Sequence, residues 1–186
     1  RDGTLGRGGC TFCQVASFAD EQMQLRTISE QLEAQAKKVN RANRYLAYFQ
    51  AYTSTYAEVN ALAAMYQQAL AEADIVGVCV GTRPDCVPDA VLDLLSGYHR
   101  QGYEVWLELG LQTANDKTLK RINRGHDFAS YQQTARRASA RGLKVCCHLI
   151  VGLPGENQAQ GLQTLQQVVD TGVDGLKLHP LHIVEG

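Results

Sequence analysis

The sequence predicts an α/β fold of parallel strand–helix units, closed into a full or partial (β/α) barrel. Three observations carry that prediction. Strand-like and helix-like segments alternate at intervals of about 30–40 residues, the order of parallel βα units. IVGVCVG is a near-continuous apolar run of strand length, as in a strand covered on both faces. The glycine-bearing loop GLPGE lacks the G-x-G-x-x-G arrangement that a dinucleotide-binding sheet requires.

Each element has its own signal. Residues 1–22 carry glycine, cysteine and polar side chains without periodicity and read as loop. A helix starts at about Ile28, with Ile28, Leu32, Ala36 and Val39 on one side; Thr27 followed by Glu30 forms a capping box before it. Arg44–Tyr52 is aromatic and apolar and of strand length, and TSTY breaks it. Val59, Leu62, Ala63, Tyr66, Leu70 and Ala73 recur at helical spacing. Ile75–Gly81 is the second strand, and TRPDCVP turns the chain. Asp89–Arg100 is helical, with Val91, Leu94, Leu95 and Tyr98 inward and Gly102 ending it. Tyr103–Leu109 is a strand, with its exit loop running on to Thr113; Asp116–Ile122 is a short helix, and Phe128–Arg141 a longer one closed by Gly142. Lys144–Ile150 is a strand, Leu162–Val169 a helix ended by Gly172, and Gly175–His179 the fifth strand.

Composition sets the outer bounds. A chain of 186 residues forms one domain with a real core. A net charge of −1, from 18 basic and 19 acidic residues, argues against a general polyanion-binding surface; a nucleic-acid partner such as tRNA stays open without support from charge. There is no membrane-spanning run and no signal peptide. The chain opens inside a loop at Arg1 and stops at IVEG, so residues 1–186 are read as one core domain cut from a longer protein at both ends. The six cysteines do not suit a secreted disulfide framework, and reduced thiols in the cytoplasm are expected.

The chemistry concentrates at two places. Cys10 and Cys13, in GGCTFC, put two soft thiolates on a loop, which suits zinc, iron–sulfur or thiol redox chemistry; spacing alone leaves all three open. The strand period of two puts Glu104, Trp106, Glu108 and Gly110 on one face, Lys144, Cys146, His148 and Ile150 on one face of the next strand, and Lys177 with His179 on the last. Polar groups there either satisfy one another inside the barrel or line a ligand site at its top. Three function classes follow: an enzyme site, a non-catalytic barrel with inert cysteines, and a zinc or thiol protein using the CxxC.

GRGGCTFC, ELGLQT with NRGH downstream, and HLIVGLPGE together resemble the radical S-adenosylmethionine (SAM) superfamily. The resemblance is strongest to its YhcC-like group, over the whole chain, and extends to oxygen-independent coproporphyrinogen dehydrogenase and the Elongator catalytic subunit. It implies an incomplete (β/α)6, partial TIM-type barrel of parallel strands, here without its first strand. It also implies a [4Fe–4S] cluster, reductive cleavage of SAM, and hydrogen abstraction from a substrate that the sequence does not name. A reductant such as flavodoxin or ferredoxin would supply the electron. Cys10 and Cys13 match the second and third cluster cysteines; the first would lie upstream of Arg1, so this stretch alone is expected to assemble the cluster poorly and to be inactive. Phe12 matches an aromatic position at the adenine. Ala51, Tyr52 and Thr53 stand where a Gly-Gly motif takes the SAM amino group. The glycines are missing, so backbone carbonyls or Thr53 would serve. Gln112 and Arg124 match a Gln and an Arg of the coproporphyrinogen enzyme, the Arg meeting the SAM carboxylate. His148 replaces a ribose-binding Asp. Ile150 and the backbone of Leu178–His179 would flank adenine, and Glu108 is a lumen carboxylate without an assigned role. No residue is singled out as catalytic.

Overall fold

The computed structural model describes residues 8–12, 26–39, 42–50 and 53–182. Five strands are described: β1 (Tyr45–Phe49), β2 (Ile75–Thr82), β3 (Glu104–Gln112), β4 (Lys144–Val151) and β5 (Gly175–Pro180). They form one sheet in sequence order, every neighbouring pair parallel. Among the described residues six α-helices accompany them: α1 (Ile28–Ala36), α2 (Val59–Leu70), α3 (Asp89–Arg100), α4 (Asp116–Arg121), α5 (Phe128–Ser139) and α6 (Gln158–Val169).

The alternation of side chains decides the architecture. Val78 and Val80, Val105, Leu107, Leu109 and Leu111, and Val145, Cys147 and Leu149 all point to one face and are buried under the helices. That layer meets Leu62, Tyr66, Ala69 and Leu70 of α2, and Val91, Leu92, Leu95 and Tyr98 of α3. The Tyr66 ring stands edge-on to Phe49, with centroids 5.0 Å apart. The residues between, Tyr48, Cys79, Glu108, Cys146, His148 and Lys177, occupy the other face.

That second face is concave. In a flat sheet β1 and β5 would lie roughly 19 Å apart, at about 4.8 Å per strand. Yet Lys177 Nζ of β5 lies 3.3 Å from Tyr48 Oη of β1 and 4.6 Å from the centre of its ring. The sheet is curled into a half-barrel, and its polar residues line the lumen.

Most expected elements form, with shifted ends. Thr27 and Glu30 make the reciprocal capping box: Thr27 N donates to Glu30 Oε2 at 2.8 Å, and Glu30 N to Thr27 Oγ1 at 3.3 Å. Helix α1 nevertheless buries no residue fully, and Val39 is exposed. Helix α6 starts at Gln158, ahead of the expected Leu162, because Asn157 and Gln160 form a second capping box. Strand β3 continues past Leu109 to Gln112, where the chain leaves the sheet at φ 81°. Strand β1 is shorter than Arg44–Tyr52, and Ala51 and Tyr52 lie outside the described residues.

Candidate functional site

The lumen is organised by one carboxylate. Glu108 is 6% exposed and accepts from four side chains. Tyr48 Oη donates at 2.7 Å and His148 Nε2 at 2.6 Å to Oε2, Cys79 Sγ at 3.0 Å to Oε1, and Lys177 Nζ to both oxygens at 3.0 and 2.8 Å. Burial pushes the Glu108 carboxyl up, but the hydrogen bonds from His148, Cys79, Lys177 and Tyr48 outweigh it and hold the group well below the usual carboxylate range. The same carboxylate works against its donors. Burial first, then the bond to Glu108, drives Tyr48 and Cys79 far above their ordinary values, so both stay protonated. Glu108, Cys146 and His148 each offer a ligand atom within 4.8 Å of the others, a spacing that suits a metal ion. The Lys177 ammonium already meets both Glu108 oxygens, so the charge that a cation would neutralise is compensated. An ionised carboxylate only accepts, so His148 Nε2 carries a proton toward Glu108 and Nδ1 is left for another partner.

A second group sits at the C-terminal rim, next to the first. Gly110 of β3 pairs with His148 of β4 in the sheet. A Cβ on Gly110 would lie 2.8 Å from Arg124 Nη2 and 3.1 Å from Gln112 Nε2, so only glycine lets both side chains close over this strand end. Arg124 reaches it from the turn after α4. There Asn123 adopts φ 54° and Arg124 N donates to Leu119 O at 2.9 Å. The Cys10 loop docks on the same turn: Thr11 N donates to Ile122 O at 3.1 Å, and Asn123 Nδ2 to Gly9 O at 2.7 Å. Arg124 Nη1 then donates to Cys10 Sγ at 3.3 Å, and Nη2 to the Gly110 carbonyl. Arg124 Nε donates to His126 Nε2 at 2.9 Å. Burial, and then the neighbouring Arg124 charge, lower the His126 pKa to about 4. The imidazole is therefore neutral at pH 7, as an acceptor of the arginine proton must be.

The sequence-predicted residues fall as follows. Cys10, Gln112 and Arg124 converge over Gly110. Glu108 and His148 bond directly, and the His148 and His179 rings lie 5.4 Å apart. Ile150 pairs with His179 at the upper end of β4 and β5. Phe12 packs against the core. Thr53 begins the loop whose next residue, Ser54, donates from its backbone to Gly81 O at 3.4 Å, on the same rim. Leu178 turns its side chain to the outer face of β5 and is 56% exposed, so only its backbone belongs to the lumen side. Cys13, Ala51 and Tyr52 lie outside the described residues. Tyr48, Cys79 and His126 were not among the predicted site residues. Their signals were the strand period for Tyr48 and Cys79 and the NRGH segment for His126.

Comparison with known proteins supplies the family. The model of the radical SAM superfamily matches residues 6–168. The chain is 76% identical over 186 residues to Protein YhcC of Escherichia coli strain K12, covering 100% of this chain and 60% of that protein. It is 40% identical over 190 residues to the protein YtqA of Bacillus subtilis strain 168, covering 100% of this chain and 59% of that one. The chain thus spans about 60% of the length of these curated relatives. Among solved structures, the coproporphyrinogen III oxidase HemN of E. coli superposes with a TM-score of 0.64 at 21% identity, over 95% of this chain and 42% of that one. The archaeal Methanocaldococcus infernus Elp3 superposes with a TM-score of 0.68 at 21% identity, over 86% and 42%. At that identity both speak for the half-barrel fold.

Proposed function

The chain belongs to the radical SAM superfamily, in the neighbourhood of the YhcC-named proteins, and on that premise we propose that the whole protein is a [4Fe–4S]-dependent SAM-cleaving enzyme. One observation supports this reading above the others. The Cys10 thiol lies 3.3 Å from the Arg124 guanidinium, at the end of β3 where Gln112 also closes over Gly110 and where His148 is the sheet neighbour of Gly110. That is a soft metal ligand beside an anion-binding fork, the donor set that a cluster and an amino-acid carboxylate require. Cys10 is a free, partly exposed thiol, which fits a ligand role; Cys13 and a further cysteine upstream would complete the set.

When bound, the cluster supplies the electron that splits SAM into methionine and a 5′-deoxyadenosyl radical able to abstract hydrogen from substrate. The protein's own residues do the rest. Arg124 holds the carboxylate, with Gln112 beside it. Thr53 and the backbone of Ala51–Tyr52 would serve the amino group. His148 Nδ1 would be available to a ribose hydroxyl while its Nε2 stays on Glu108. Phe12, Ile150 and the Leu178–His179 backbone flank the adenine. Glu108 keeps Lys177, Tyr48 and His148 in place beneath the site. A reductant such as flavodoxin or ferredoxin and a cytoplasmic location suit this chemistry.

The test is anaerobic iron and sulfide reconstitution of the full-length protein, followed by SAM binding and release of 5′-deoxyadenosine. Cys10→Ala is expected to abolish cluster assembly. Arg124→Ala is expected to keep iron content while weakening SAM binding at least about tenfold, roughly 1.4 kcal/mol, the loss of a charge-assisted pair. Stoichiometric zinc without iron would favour a metal-structural CxxC protein instead, and unchanged SAM affinity in Arg124→Ala would remove the role given to that residue.

A further inference from the structure

We propose that His126 is a positioning residue, whose Nε2 lone pair fixes the Arg124 guanidinium against Cys10 and Gly110. The contact stands on geometry alone; its consequence for SAM rests on the reading above.

Arginine Nε carries a proton and no lone pair, so across the 2.9 Å to His126 Nε2 the imidazole must accept. Its own proton then sits on Nδ1, 3.2 Å from the Asp127 carbonyl. The Gly110 carbonyl, 3.2 Å from the same Nε2, takes its proton from Arg124 Nη2 instead. Three N–H groups of one guanidinium are thus committed to three separate pieces of chain: His126 after α4, the end of β3, and the Cys10 loop. A guanidinium has five, so one N–H on each terminal nitrogen is left for an external anion.

Burial of an imidazole is ordinary when it only fills space. Here a filler would not need an acceptor at that atom, and His126, 7% exposed, sits against a partly exposed arginine that would otherwise swing toward water. Removing the acceptor strands the Nε proton and frees the fork to rotate, with the core of the sheet untouched.

The experiment has two arms on the full-length protein. In the first, without cofactors, the Arg124 Nε–H resonance is followed by ¹⁵N NMR and identified by its loss in Arg124→Lys. Slow exchange is expected in the wild type and in His126→Gln, whose amide oxygen accepts, and fast exchange in His126→Phe and His126→Asn. In the second, SAM affinity is measured on reconstituted protein of matched iron content. His126→Phe is expected to weaken binding about tenfold and His126→Gln by no more than about threefold, the difference being one oriented fork. In the Arg124→Ala background His126→Phe should cost nothing further. Fast exchange in the wild type, equal behaviour of Gln and Phe, or full additivity with Arg124→Ala each overturns the proposal. If His126→Phe does not fold, the Gln and Asn pair decides in both arms. Protected Nε–H in a wild type that binds no SAM would sink the enzymatic reading while leaving the positioning contact standing.

Discussion

Glu108→Gln tests the lumen most directly. The carboxylate accepts five hydrogen bonds from four side chains and carries the charge that balances Lys177. Truncating one member of a buried ion pair costs about 3–5 kcal/mol when the partner is stranded. Here the partners are not all stranded. Tyr48 is 41% exposed and the Lys177 side chain 39%, so both can turn to water. His148 and Cys79 cannot, and hydrogen bonds to charged groups are worth about 1.5–3 kcal/mol each, less for a thiol. Glutamine keeps one acceptor oxygen, so a loss of about 2 kcal/mol is expected for Glu108→Gln and about 3 for Glu108→Ala, which adds a cavity. Urea unfolding at pH 7, read as a lower midpoint with unchanged slope, is the assay. The double variant with Lys177→Met should lose less than the sum of the singles. The pH dependence has a definite sign. The folded carboxyl is a stronger acid than the unfolded one, so its contribution is complete above an unfolded pKa of about 4.3 and disappears as pH falls through the lower folded value. Wild-type stability should therefore drop below about pH 4–5 more steeply than that of Glu108→Gln. A loss under about 0.5 kcal/mol, with parallel acid limbs, would refute the argument.

Two other substitutions probe the rim and its support. Gly110→Ala brings a Cβ within 2.8 Å of Arg124 Nη2 and 3.1 Å of Gln112 Nε2, both flexible ends. Folding should survive with a loss of about 1 kcal/mol in a thermal melt, while SAM affinity of the reconstituted protein falls; unchanged affinity would show that Arg124 and Gln112 need not sit there. Thr164→Val removes the hydroxyl that accepts from the buried Ala114 N–H at 3.2 Å and contacts Thr113 Oγ1 at 3.1 Å. It should cost about 1–3 kcal/mol by chemical denaturation, and a neutral result would mean that Ala114 finds another acceptor.

How much of this was legible follows from what a period can report. The parallel βα units follow from the alternation of strand-like and helix-like segments, and the faces given to Glu108, His148 and Lys177 follow from the period of two, because a strand reverses sides at every residue. Tyr48 and Cys79 occupy the same lumen face, yet tyrosine and cysteine are also common in cores, so nothing in their type marked them as polar partners of Glu108. Closure into a barrel was expected from the βα alternation, but not which side chains it brings together across the lumen. That Lys177 reaches Tyr48 across four strand spacings depends on the twist and closure of the whole sheet. His126 lay in NRGH, a loop where no period exists, and its role appears only when Asn123 adopts its left-handed turn and aims Arg124 back at Gly110.

The two clusters are coupled through one residue pair, and this explains why the polar residues gather where they do. Gly110 pairs with His148 in the sheet, while Gly81 pairs with Glu108. Two of the lumen-face positions that lack a side chain therefore flank the crowded ones. A Cβ at Gly81 would sit 3.7 Å from Tyr48 Oη, and one at Gly110 would meet Arg124. The glycines leave room at the strand tips, and the carboxylate below them fixes the groups that border that room. On the function proposed above, a ligand entering there would meet Arg124 and Gln112 on one side and His148 on the other, and the sheet would supply the spacing between them.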